Sequence, residues 1–432
     1  MADRVVRDEI HRDILIPEPI GALIDTREFQ RLRNILQLST CHYVFPSASH
    51  NRFSHSIGAY HLAVKLCNSL EEYQPGIFTD NDAELVEIAA LLHDVGHPPF
   101  SHLLENPAVF ATFHTHEKWG KMILQSDTTE LGVALNNHLG DAGCRRLFAI
   151  MDGLEQCDGK VIPRFLKEIV SSQLDVDRMD YLVRDQHNTG AQIGGFDIDR
   201  VFRALRVGQD GRIYAKAWGL PAIEAYLVTR YHMYNQVYYH KVNALTQCYL
   251  TGMLERAGFL AKDGLLQLSP ALTSMLIDED LSVKDYIRLT DADINVALNE
   301  WSDNDDVLLS SYASKLLSRR DFHKSIRIAE LDIEMAEILR PHLLEILAES
   351  GYEETDLITA TIKKKGYKPY VEGIILEDGR DVCEHSALVR SLVPASELAL
   401  IFIPEPVRDR CEILAREMIK PTQTSLNEFS QA

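Results

Sequence analysis

His93 and Asp94 stand side by side in the stretch Glu87-Ile-Ala-Ala-Leu-Leu-His93-Asp94-Val-Gly96-His97-Pro98-Pro99-Phe-Ser101-His102, and five of the 17 histidines fall between His93 and His116. An imidazole next to a carboxylate supplies two donors of the kind a divalent ion takes at a mixed nitrogen and oxygen site, where open positions leave room to activate water. A bare pair is equally a histidine bonded at a helix terminus, so two further donors are needed. His55 is the natural third ligand. Asp177, in Gln173-Leu-Asp175-Val-Asp177-Arg178-Met-Asp180-Tyr181-Leu-Val-Arg184-Asp185, is the natural fourth. Taken alone, that last segment also reads as a solvated charged helix with an aspartate N-cap.

Helices must carry these donors. The spacing of Leu85, Ile88, Ala89 and Leu92 predicts an apolar helix over 80–94 that stops at the His93-Asp94 pair. Gly96 is expected to take the left-handed conformation that closes a helix, and Pro98 forbids continuation. Arg52 to Glu72 is helical, with Arg52 and His55 on one face. Asp177, Tyr181 and Asp185 recur every four residues and share a face. Residues 1–20 read as a strand or extended arm, Ile20 to Leu38 as one helix, and Cys41 to Asn51 as a loop. Further on, helical patterns run to about Leu205. Arg212 to Lys216 is a short strand after the Asp210-Gly211 turn, and Pro221 to Leu260 is one long amphipathic helix. Helices continue over 263–320. From about Ile326 alternating runs such as Tyr370 to Leu376 and Ile401 to Ile403 predict strands among helices.

A chain of 432 residues with 46% hydrophobic and 25% charged residues has the composition of a soluble globular protein. No apolar run reaches bilayer length and no signal-peptide core follows Met1, which predicts a cytoplasmic location without membrane partners. Seven scattered cysteines with no CxxC predict reduced thiols. A net charge of -20 disfavours nucleic acid as a partner, because phosphate backbones need a basic surface. It leaves room for a small phosphorylated ligand in a local basic pocket.

The order His55…His93-Asp94…Asp177 resembles the signature of the HD phosphohydrolase superfamily. Within it, the chain is similar to the branch of SAM-and-HD-domain deoxynucleoside triphosphate (dNTP) triphosphohydrolases and their bacterial relatives. The matching text comprises Ile24-Asp-Thr-Arg-Glu-Phe-Gln-Arg-Leu-Arg33, Gln37-Leu38, Tyr43-Val-Phe-Pro-Ser-Ala-Ser-His-Asn-Arg52-Phe-Ser-His55, His93 to His102, His116-Glu117, the Asp175–Asp185 segment, Arg230 and Tyr238-Tyr-His-Lys241. An SAM-like domain is not expected ahead of it. The resemblance implies a mostly α fold: an HD-domain helical core over 1–325, followed by a smaller α+β C-terminal lobe over 326–432.

The resemblance further implies that His55, His93, Asp94 and Asp177 hold Mn²⁺, Fe²⁺ or Mg²⁺. Arg52, His97, His102, Arg178 and Arg230 would surround a triphosphate, which suits arginine's bidentate grip on phosphate oxygens. His102 would be the general acid, with Glu105 or His116 orienting it and Asp94 at the reacting centre. Gln37 and Leu38 would read the sugar; Tyr181, Asp185 and Tyr238 would line the sugar and base side. Val5, Asp25, Gln30, Arg33 and Arg200 match a nucleotide activator site between subunits, for GTP or a dNTP, in a homodimer or tetramer. The match is imperfect. Arg178 stands where the family often has lysine, Glu105 where it has aspartate, and Arg7 where the activator site has asparagine. Trp218 and Ala222 replace a lysine and an asparagine of a second activator site.

The expected activity is metal-dependent hydrolysis of a dNTP to deoxynucleoside and triphosphate. The alternatives are another HD phosphohydrolase, acting on monophosphates, cyclic nucleotides or alarmones, and a nucleotide-sensing scaffold. Five cationic or donor side chains exceed what a monophosphate needs, and the intact ligand quartet opposes a dead site.

Overall fold

The computed structural model describes residues 3–79, 81–328, 331–364, 366–370 and 373–419. The chain begins as a β-hairpin, β1 (Arg4–Asp8) and β2 (Arg12–Ile16), with Arg4 opposite Ile16 and Asp8 opposite Arg12. Ile14 and Ile16 point inward and are fully buried, while Val5 and Leu15 on the other face are exposed. This alternation is the period-two signature of a half-buried strand.

The single helix expected over 20–38 is broken. Helix α1 (Glu18–Ile24) ends at Asp25, α2 (Arg27–Gln30) begins after an extended Thr26, and a 3₁₀ turn (Arg31–Asn34) leads into extended Ile35. Each short piece still buries its apolar residues, Leu23 and Ile24 in one, Phe29 and Leu32 in the others. Helical spacing therefore survives the break and conceals it.

Helix α3 (Arg52–Tyr73) packs against α4 (Asp82–Leu92) and α8 (Val176–Thr189). Asn51 caps α3 by accepting from the Ser54 amide, and Asp175 caps α8 by accepting from Arg178. Between α4 and α8 run α5 (His116–Gln125), α6 (Glu130–Asp152) and α7 (Arg164–Val170). Asp80 of the expected 80–94 helix lies outside the described residues. Gly96 is not left-handed. A Cβ there would fall 2.1 Å from the His116 carbonyl oxygen and 2.2 Å from the Gly120 nitrogen, so glycine is required by the close approach of α5. The left-handed residues of this loop are Phe100 and Ser101, at φ 52° and 56°.

After α9 (Ile198–Ala204) come paired strands β3 (Leu205–Val207) and β4 (Ile213–Ala215). The long helix expected over 221–260 is interrupted. Helix α10 (Leu220–Met233) passes into a π-helical turn (Tyr234–Tyr238), and α11 (Lys241–Lys262) starts beyond it. A π turn adds a residue to the ladder and re-aims the side chains on it.

Packing divides the chain into two units. The first comprises Met1–Tyr238, Ala257–Val296 and Tyr367–Val393; the second comprises Tyr239–Arg256, Ala297–Gly366 and Pro394–Ala432. In the first, Leu62, Leu66, Ile88, Leu91 and Met179 are buried among α3, α4 and α8. In the second, α13 (Ile333–Glu349) and α14 (Arg408–Ile419) lie with the antiparallel strands β5 (Ile358–Lys364) and β6 (Ser396–Ile403). Leu339, Leu343, Ile401, Ile403 and Cys411 form its core. Strand β6 contains the expected 401–403 strand. The run 370–376 is not a strand in its described part: Ile375 and Leu376 make only isolated bridges, and 371–372 lie outside the described residues. The fold is thus mostly helical, with small antiparallel sheets, as the HD resemblance implies.

Asp291, at the start of α12 (Asp291–Trp301), clamps two segments of the first unit. Its Oδ2 accepts from the Leu36 amide at 2.9 Å and its Oδ1 from the Phe100 amide at 2.7 Å. Burial raises this carboxyl to about 6, against the pull of those two donors. The folded value is above the unfolded one, so the stabilisation is present below about 4 and lost as the pH rises through about 6. Asp291→Ala strands two buried amides and is expected to cost about 2–5 kcal/mol. Asp291→Asn should cost less and remove that pH slope. Thermal melts of the three proteins between pH 4 and 7 check both outcomes.

Candidate metal centre

Three helices of the first unit deliver four donors to one place. His55 Nε2, from α3, lies 3.1 Å from Asp177 Oδ1 of α8 and 3.6 Å from Asp94 Oδ2. His93 Nε2, at the end of α4, lies 3.3 Å from Asp94 Oδ1 and 3.4 Å from Asp177 Oδ1. The donor atoms of His55, His93 and Asp94 all sit within 4.8 Å of one another.

The outer nitrogens decide which lone pairs face inward. His93 Nδ1–H donates to the Ala90 carbonyl at 2.8 Å, and His55 Nδ1–H donates to Asp180 Oδ2 at 2.8 Å. Both Nε2 atoms are thereby aimed at the carboxylates, as metal-ligating imidazoles are when their second nitrogen is held. His93 Nε2 is buried and has no hydrogen-bond partner. Imidazole nitrogens facing two carboxylates need a proton or a metal cation between them. The donor set therefore fits a divalent ion with two nitrogen and two oxygen ligands.

Charge is strongly coupled here. Burial pushes the Asp177 carboxyl up, but the His55 hydrogen bond and the facing His93 imidazole hold it well below the usual range. Asp94 is likewise held far down, burial being outweighed by the Arg52 guanidinium, whose Nη1 lies 2.5 Å from Oδ2. Burial opposes protonation of His55, yet Asp177 and Asp180 raise it to about 10. His97 is driven well down by burial and by Arg52, so it stays neutral, with Nε2 3.2 Å from Asp94 Oδ1 and Nδ1 buried without a partner.

A histidine group adjoins the centre. The His97 and His116 rings stack with centroids 4.0 Å apart, and His102 meets both edge-on. Glu105 holds two of these rings. Its Oε2 accepts from His102 Nδ1 and its Oε1 from His116 Nδ1, each at 2.7 Å. Burial works against Glu105, but those imidazoles keep it ionised far below the usual range. His102 is 67% exposed and its Nε2 is left for a ligand. Glu105 is thus the residue that touches His102 through a hydrogen bond; His116 meets its ring and occupies the other carboxylate oxygen.

The candidate phosphate and sugar residues are already engaged. Arg52 Nε donates to Ser101 Oγ, which in turn donates to the Leu36 carbonyl. Arg178 pairs with Asp175, and Arg230 Nη1 donates to Gln173 Oε1 at 2.6 Å. Asp185 accepts from His50 Nε2 at 2.8 Å and from the Tyr238 hydroxyl at 2.7 Å, the latter delivered by the π turn. Tyr181 lies between the His55 and Tyr238 rings, its centroid 6.4 and 6.5 Å from theirs. The Gln37 backbone N–H donates to the His50 carbonyl, and its side-chain oxygen is buried without a partner; Leu38 follows it, half-buried.

The activator-like residues are scattered over separate elements. Asp25 pairs with Arg4, beside exposed Val5. Gln30 donates to the Ile24 carbonyl and accepts from Arg33, whose guanidinium lies over the Phe53 ring. Arg200 is engaged elsewhere, over the Trp218 ring. Because the helix over 20–38 is broken, Asp25 and the Gln37-Leu38 pair do not share one rigid element.

Sequence reasoning passed over His50, Asp180, Arg184, His11 and Asp291. Apart from the Asp180–Arg184 pair, four residues apart, the partners that tie them to the site lie 125 to 255 residues away along the chain.

The HD domain family matches residues 52–185, and the HD associated region matches residues 196–349. YwfO of Bacillus subtilis is 35% identical over 328 residues, covering 74% of this chain and 71% of that protein. The human deoxynucleoside triphosphate triphosphohydrolase SAMHD1 is 31% identical over 392 residues, covering 84% of this chain and 59% of its own length. Among solved structures, a phosphohydrolase from Bacteroides thetaiotaomicron superposes with a TM-score of 0.79 at 29% identity, over 93% of this chain and 100% of that one. The ligand-bearing helices α3, α4 and α8 fall inside the first matched region, and the chain belongs to the HD-domain family of phosphohydrolases.

Proposed function

We propose that the protein is a metal-dependent dNTP triphosphohydrolase, which converts a dNTP and water to deoxynucleoside and triphosphate. The observation that carries this reading is the Glu105-held His102 next to the His55, His93, Asp94 and Asp177 quartet. Relatives such as the human enzyme, which carries that activity in its name, support it.

In this reading His55, His93, Asp94 and Asp177 hold Mn²⁺, Fe²⁺ or Mg²⁺, which when bound supplies an activated water and Lewis acidity toward a phosphoryl oxygen. Arg52, His97, Arg178 and Arg230 orient the triphosphate. His102, protonated on both nitrogens, donates Nδ1–H to Glu105 and Nε2–H to the departing 5′-oxygen. The water oxygen forms the new bond to the α-phosphorus as the bond from phosphorus to the 5′-oxygen breaks; His102 gives its proton to that oxygen, the proton lost by the water passes to solvent, and His102 is reprotonated from solvent. The buried Gln37 carbonyl would accept from the sugar 3′-hydroxyl, and Asp185, held by His50 and Tyr238, would line the sugar and base side with Tyr181. Leu38 would leave no room for a 2′-hydroxyl.

The proposal extends to a homo-oligomer, dimer or tetramer, activated by GTP or a dNTP at Val5, Asp25, Gln30, Arg33 and Arg200. The Arg4 guanidinium on Asp25 must yield before a guanine edge can donate to that carboxylate. No helix among the described residues is long and apolar enough to cross a membrane.

Three outcomes are expected. His93→Ala or Asp94→Ala should fold, lose bound metal in elemental analysis and lose turnover; full activity with metal supplied would remove the centre. Incubation with each dNTP and Mn²⁺ or Mg²⁺ should yield deoxynucleoside and triphosphate, with ATP cleaved roughly 10²-fold or more slowly than dATP; pyrophosphate as product, or equal rates for both, would contradict the substrate reading. Sedimentation and initial rates measured together with GTP, dGTP or dTTP should rise together, since a ligand that favours the assembled state shifts both; constancy of both makes the enzyme constitutive.

A further inference from the structure

We propose that the N-terminal hairpin is a positioning element of the metal centre and that His11 holds the ligand His55 in place through Asp180; this rests on the reading of His55 as a ligand. Asp180 is completely buried, and all its lone-pair directions are filled. Its Oδ1 accepts from His11 Nε2 at 2.7 Å and from Arg184 Nη2 at 3.0 Å. Its Oδ2 accepts from His55 Nδ1 at 2.8 Å and from Arg184 Nε at 2.9 Å.

The hairpin supplies more than one of these anchors. Asp8 closes the turn by accepting from the Ile10 and His11 amides at 2.9 and 2.8 Å. The same carboxylate takes Arg184 Nη1 at 2.9 Å and Nη2 at 3.3 Å. One turn therefore orients both donors that flank His55 on Asp180, His11 directly and Arg184 through Asp8. Helix α3 is shaped to admit the carboxylate. A Cβ at Gly58, one turn beyond His55, would fall 2.0 Å from Asp180 Oδ1 and 2.4 Å from Arg184 Nη2. Outer partners of this kind set the tautomer and direction of a ligating imidazole. A carboxylate free to rotate would let the His55 ring turn away from Asp94 and Asp177.

The test is Mn²⁺ affinity of the full chain by calorimetry, with circular dichroism as the fold control. His11→Leu removes the donor and should weaken Mn²⁺ binding roughly 10–100-fold, while His11→Gln, which keeps an N–H at similar reach, should stay within about threefold of the wild type. Wild-type affinity in folded His11→Leu overturns the proposal. So does equal weakening in both variants, which marks a merely structural role. Should His11→Leu not fold, amide exchange of Arg4–Ile16 in the unaltered protein decides. Coupling is reciprocal, so Mn²⁺ should slow exchange in the hairpin, and unchanged exchange overturns the proposal. Retention of Mn²⁺ by His93→Ala would instead remove the metal reading and this inference with it.

Discussion

The buried carboxylate of Asp180 is the constraint on which the site depends. A desolvated carboxylate is costly unless hydrogen bonds and opposite charge compensate it. Here the compensation is complete. Arg184, His11 and His55 all donate to it, and its acidity is held well below the usual range despite burial, by Arg184 first and then by the two imidazoles. Because no spare lone pair remains, the carboxylate has one low-energy orientation, and so does the imidazole it holds. Precision at the centre comes from this outer ring of bonds.

A second consequence is the separation of roles among residues of like chemistry. His55 and His93 have their outer nitrogens committed, one to a carboxylate and one to a helical carbonyl, which turns both Nε2 atoms toward the Asp94 and Asp177 carboxylates. His97 is kept neutral by burial and Arg52. His102 and His116 share Glu105, each through Nδ1. Five imidazoles within one neighbourhood thus differ in their surroundings according to which acceptor each meets. Environment of this kind is how proteins separate acids from ligands.

The arginines illustrate the cost of gathering charge. Arg52, Arg178 and Arg230 each rest on an acceptor: Asp94, Asp175 and Gln173. Paired guanidiniums can stay in a buried site without mutual repulsion unfolding it.

The helical class, the end of a helix at His93-Asp94 and the candidate quartet were legible in the sequence. Apolar spacing marks helices because a buried stripe must recur with the helical period, and a Gly-Pro-rich run marks their ends. The same logic failed where two conformations keep the same spacing: the broken 20–38 segment and the π turn at Tyr234–Tyr238 read as continuous helices. Gly96 was needed for a reason local pattern does not contain, the backbone of α5 lying against it. Tertiary structure alone decided which lone pairs face inward, that Glu105 rather than His116 bonds His102, and that His50, Asp180, Arg184 and His11 support the site. The bonds of Asp180 to His55 and His11 and of His50 to Asp185 join segments far apart in the chain. A sequence displays donors and their local spacing, but the direction of a hydrogen bond exists only once distant elements have packed.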